Sequence, residues 1–155
     1  MRKRLEAQGF TGLDEGHLSD LAPWVRVVSA TFTGWIAVGT LLESPLVLFA
    51  CAPLAFLGVV LPWHPLDSIY QHGFRRMIDS PAMPPTSSQR RWAYAIVTVW
   101  LLAAGFAFAR DARIVGWILG GALAIAEAVH ATTLFCVLSY CFSWARRLPT
   151  STSDR

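Results

Sequence analysis

The chain has 155 residues, of which 54% are hydrophobic and 15% charged, with a formal net charge of +3. Its mean hydropathy of +0.45 is too high for an ordinary soluble domain of this size. The small positive charge comes with no aromatic-interleaved basic patch, so nucleic acid is excluded as a partner, and a single membrane domain over 1–155 is left.

MRKR at the start resembles the basic region of a signal peptide, but Glu6, Asp14, Glu15 and Asp20 follow it without an apolar stretch. No cleaved signal is expected, and residues 1–22 read as a polar tail. Apolar runs then predict spans at about 24–42, 46–63, 92–109 and 114–140; the first three are near the roughly 20 residues that cross about 30 Å of hydrocarbon, while the fourth is long enough that it must tilt or break. Glu43-Ser44-Pro45 and the stretch from Arg110 to Arg113 are breaks short enough for antiparallel hairpins. The expected fold is therefore all-α: an integral membrane four-helix bundle of two helical hairpins. Eleven of the thirteen Lys and Arg residues fall on the termini, on the long central loop or, for Arg26, at the start of span one, against only Arg110 and Arg113 on the other side. That bias places both termini and the long loop in the cytoplasm of a bacterial inner membrane. Trp24, Trp63, Trp92 and Trp144 sit near cytoplasmic ends of spans, as in an interfacial aromatic belt.

Between spans two and three, Leu66, Ile69, Tyr70, Gly73, Phe74, Met77 and Ile78 recur at helical steps while polar residues fill the other face. This predicts a cytoplasmic interfacial amphipathic helix over about 65–79, begun by Pro65, with Arg75 and Arg76 toward lipid headgroups or a partner. His64, Asp67 and His72 are candidate ligands or proton carriers there, although Asp67 and His72 diverge by about 140° on a helix. The following PAMPPTSSQRR reads as a mobile linker, and 145–155 as a second polar tail.

Span four carries the residues least expected against lipid: Glu127, His130, Cys136 and Cys141. On a continuous helix Gly116, Gly120, Glu127, His130 and Cys141 fall within about 90° of one another, and Ala124 extends the small-residue face. Glu127 is therefore expected to point into the bundle, with Glu127, His130 and Cys141 as an intramembrane polar site or subunit contact. Ser29, Thr31, Thr33 and Thr40 of span one are its candidate hydrogen-bond partners. Glu-x-x-His is half of a di-metal signature, but no second copy or further carboxylate lies in the other spans, so no metal site and no catalytic residue is assigned. Cys136 and Cys141 diverge by about 140° and cannot pair unless the helix breaks; Cys51 reads as a small buried hydrophobe.

HPLDSIYQHG after span two, RRWAYA before span three and FCVLSYC at the end of span four carry a resemblance over about 21–146. The chain resembles an uncharacterised bacterial family of small four-span membrane proteins, domain of unknown function 4395. The resemblance implies the four-helix topology and no activity. The expected function is a non-enzymatic accessory or stabilising subunit of a larger membrane assembly, such as a respiratory or photosynthetic complex, with the bilayer and other membrane subunits as partners. The alternative is a membrane redox or cofactor-binding protein using Glu127 and His130 or the span-four cysteines. No particular cofactor follows from the sequence.

Overall fold

A computed structural model describes residues 2–8, 10, 12–75 and 82–136. Among these every regular element is helical: α1 (Arg2–Ala7), α2 (Glu15–Leu41), α3 (Pro45–Val60), α4 (Pro65–Ile69, continued by a π turn over Tyr70–Phe74), α5 (Ser88–Ala109) and α6 (Arg113–Thr133). Helices α2, α5 and α6 are long and apolar enough to cross a membrane. Helix α3 has 16 residues, about 24 Å of helix, and qualifies as a span only together with α4, from which a 71° bend separates it. Among the described residues three helices are thus long and apolar enough to cross a membrane, or four if the bent pair is one span, which marks the chain as a membrane protein.

Helix α2 begins well before the expected span one, because Asp14 caps it. The Asp14 carboxylate accepts the His17 backbone N–H at 2.7 Å and contacts the His17 ring at 2.6 Å, which holds its carboxyl below the usual carboxylate range. The added turns are amphipathic rather than polar. Leu18, Leu21 and Ala22 pack with Leu5, Phe10, Tyr70, Met83 and Leu134 into a second apolar cluster at one end of the helices. The expected polar tail over 1–22 is thus corrected: most of it is folded onto the spans.

The main core lies between the long helices, where α3 packs on α5 and α2 on α6. Phe32, Ile36, Leu48, Ala55, Leu101 and Leu123 are central to it. Glycines set several of the close approaches. Gly105 lies against the Phe49 ring, Gly116 against the Phe108 ring, and Gly120 against Thr40. The Gly116–Gly120 face is therefore occupied within this chain, on α5 and α2, and Ala124 packs at the edge of the same core.

Span four does not continue as helix to residue 140. Helix α6 ends at Thr133, where Leu134 turns left-handed at φ 55° and its N–H bonds the His130 carbonyl at 2.8 Å. Two carbonyls at this end are taken by the N-terminal segment: Arg4 Nη1 donates to Thr133 O at 2.7 Å, and Gln8 Nε2 to Leu134 O at 2.8 Å. Cys141, which needed a continuous helix to reach the glycine face, lies outside the described residues, as does Arg76. The expected mobile linker is also pinned where it is described. Met83 is buried, Thr86 N–H donates to Pro62 O at 2.7 Å, and Ser87 Oγ donates to Gln8 O at 2.7 Å.

Candidate functional site

His64 precedes Pro65 and caps α4, its Nδ1 accepting the Leu66 N–H at 3.2 Å. The ring proton therefore sits on Nε2, which is buried without a hydrogen bond of ordinary geometry and has only a weak interaction with the Leu54 backbone. The ring stacks on Tyr94 at 4.8 Å and tilts against Phe32 at 5.5 Å. Gly58 makes the stack possible, since a Cβ there would stand 2.6 Å from His64 Cδ2 and 2.8 Å from the Tyr94 ring.

One turn further, Asp67 is fully buried. Its Oδ2 accepts from Arg90 Nη2 at 2.7 Å and its Oδ1 from Trp24 Nε1 at 3.2 Å. Arg90 Nη2 also donates to the Tyr94 hydroxyl at 3.2 Å, and the guanidinium lies over the Phe10 ring at 5.1 Å. This corrects the interfacial amphipathic helix. Asp67, assigned to the polar face, is inside. The reason is the charge on Arg90: the carboxylate turns toward a guanidinium that is itself buried, and the ion pair outweighs the periodic pattern. His72 is exposed and bonds the Ser68 carbonyl within its own helix, and Arg75 is half-buried. Of the five residues predicted for this segment, His64 and Asp67 come together, His72 and Arg75 do not join them, and Arg76 lies outside the described residues.

The second polar group is on α6. His130 Nδ1 lies 3.0 Å from Ser29 Oγ and 3.8 Å from Glu127 Oε2, while Nε2 lies 3.1 Å from Gln8 Oε1. Because the Gln8 amide nitrogen is committed to Leu134 O, its oxygen faces His130 and can only accept. The network thus assigns the ring proton to Nε2 and leaves Nδ1 to accept from Ser29.

The two groups share one cavity. Gln8, Ser29, Arg90, Tyr94, Glu127, His130 and Cys136 line it together with Val25, Val28, Phe32, Ala93 and Val97. Its water-accessible volume is about 50 Å³, room for a few water molecules. Arg90 uses one nitrogen, Nη2, for both of its side-chain hydrogen bonds among the described residues. The walls therefore offer guanidinium N–H donors, a carboxylate and an imidazole. No group of three or more His, Cys, Asp and Glu able to hold a metal occurs among the described residues. Sequence reasoning missed Gln8, Arg90 and Tyr94 as site residues. The signal available was RRWAYA, in which Arg90 and Tyr94 are four apart and share a helix face.

The family model for a domain of unknown function (DUF4395) matches residues 22–147, and the chain belongs to that family. No curated protein and no solved structure matches the chain.

Replacing Asp67 by Asn leaves the Arg90 charge buried without a counter-charge. Asp67→Asn is expected to lose about 3–5 kcal/mol of unfolding free energy in detergent micelles. A loss below about 1 kcal/mol, the size of an exposed pair, would show that water already screens the contact.

Proposed function

We propose that this family member is a four-helix protein of the bacterial inner membrane that holds a small polar ligand or a proton at the cavity between α2, α5 and α6. The two hairpins are α2–α3 and α5–α6, with the termini and the α4 end of the bundle on the cytoplasmic side. Supporting that orientation, eleven of thirteen basic residues lie on the termini, the long loop or the adjoining start of span one, while Arg113 pairs with Glu43 at 3.4 Å across the opposite turns. The observation that carries the functional reading is that Arg90, Glu127, His130 and Cys136 line one water-sized space inside an otherwise apolar set of helices. Ionisable groups at membrane depth are costly, about 2.5–3.5 kcal/mol for a central charge on insertion scales, and packing alone does not call for several around one cavity. The volume admits water or a molecule of a few heavy atoms.

The test compares wild type with Glu127→Gln and His130→Gln. Purified protein is examined for absorbance, metal content and ligands retained in native mass spectrometry, and vesicles for proton flux with a pH-sensitive dye. At least one signal is expected in the wild type and lost by tenfold or more in both variants. Identical behaviour of all three proteins would refute the reading.

A second reading, an accessory subunit of a larger membrane assembly, is favoured by α6. Ile114, Val115, Trp117, Ile118 and Ile125 are exposed along it, and only 17% of its span is buried within the chain. Gentle extraction and sizing decide this: the reading expects a stoichiometric partner, and a lone protomer without one contradicts it.

A further inference from the structure

We infer that a groove on the outer face of α5 binds one anionic phospholipid, with an acyl chain lying along the helix and the phosphate at Arg91. This surface is separate from the inner cavity, to which α5 turns Arg90, Tyr94 and Val97, and it does not depend on what that cavity holds.

The groove follows from how α6 is held. His130 lies 3.0 Å from Ser29 and Gly120 rests against Thr40, so α6 is drawn onto α2. It reaches the groove at Leu119, whose carbonyl accepts from Trp100 Nε1 at 3.0 Å, and every other lining residue belongs to α5. Ala95 and Ala103 hollow that face between the larger Trp92, Val99 and Trp100, leaving about 390 Å³. The walls are carbon almost throughout, and the Trp100 indole N–H is already used on α6.

The dimensions fit one leaflet. Trp92 and Ala103 are eleven residues apart, about 16 Å of helix, against about 15 Å for half of a 30 Å hydrocarbon layer. Trp92 stands at the end nearest the start of α5, where an indole suits the boundary between hydrocarbon and headgroups. The charge at the same end selects the headgroup. Arg90 turns inward to Asp67, whereas Arg91 sits about 100° round the helix and precedes Ala95 by one turn. Arg91 is half-buried and forms no ion pair or side-chain hydrogen bond among the described residues. Side chains on a helix lean toward its N-terminus, which carries this guanidinium from the mouth of the groove to headgroup level. An uncommitted guanidinium above an apolar slot of one-leaflet depth matches a phosphate joined to an acyl chain. It favours a net-negative headgroup over a zwitterionic one.

Quenching of tryptophan fluorescence tests this, since Trp92 and Trp100 line the groove. The full-length protein is placed in phosphatidylcholine vesicles doped with brominated phosphatidylglycerol or brominated phosphatidylcholine. In the wild type the relative binding constant is expected to favour phosphatidylglycerol about fivefold, the size set by one arginine at the membrane surface. Arg91→Gln is expected to bring the two lipids level, while Arg26→Gln, an exposed arginine on α2, leaves the preference in place. Ala103→Phe, which fills the groove from an exposed position, is expected to weaken quenching by both lipids. Equal quenching in the wild type, a preference that survives Arg91→Gln or falls equally in Arg26→Gln, or quenching unaffected by Ala103→Phe overturns the inference. So does a dimer that Ala103→Phe dissociates, because the occupant is then a second copy of the chain. Should Arg91→Gln fail to fold, the wild type is read at about 1 M salt, where charges are screened beyond about 3 Å. A lost preference there supports the inference and an unchanged one overturns it.

Discussion

Asp67 and Arg90 meet at 2.7 Å with almost no exposure to solvent, and three separate stretches of chain depend on that contact. A carboxylate and a guanidinium taken out of water repay their desolvation only when the remaining lone pairs and protons are also satisfied. Here Trp24 of α2 donates to the second carboxylate oxygen, Tyr94 accepts from the guanidinium, and Phe10 covers its face. The pair fastens α4 to α5, turns the polar side of α4 inward, and holds Arg90 at the wall of the cavity. His64 completes the arrangement: it caps α4 and stacks on Tyr94, in a space that exists because residue 58 has no side chain.

The N-terminal segment links this ion pair to the Glu127–His130 group. Phe10 belongs to the Arg90 side, Gln8 to the His130 side, and Arg4 and Gln8 together satisfy carbonyls where α6 stops. A short helix that cannot be stable alone is thus held through Arg4 and through Gln8 and Phe10 just after it, and Gln8 lines the cavity. The same segment meets α6 where it ends at Thr133. Leu134 turns left-handed and its N–H closes on the His130 carbonyl, while Arg4 and Gln8 take the Thr133 and Leu134 carbonyls that follow.

The apolar helices were legible because membrane spans depend on composition and length, which a sequence displays directly. The inward side of α6 was legible as well: Gly116 and Gly120 mark where a neighbour comes close, and Glu127 and His130 share that stripe. The burial of Asp67 was not, because amphipathic periodicity assumes that a carboxylate faces water, and nothing local to α4 announces a partner on α5. The end of α6 was hidden for a related reason. FCVLSYC is apolar enough to continue a span, and the carbonyls where the helix turns off at Leu134 are satisfied by Arg4 and Gln8, more than a hundred residues away in sequence. Gln8 itself lay in a segment whose charges suggested a tail; its importance comes from an amide that donates to one group and accepts from another.

The central claim is that Asp67 and Arg90 act as one buried unit, and a double-mutant cycle measures it directly. Unfolding free energies of the wild type, Asp67→Asn, Arg90→Met and the double variant give the coupling between the two side chains. The account predicts a coupling of about 2–3 kcal/mol, with the double variant more stable than the sum of the single losses implies. Additive losses, with a coupling near zero, would contradict it.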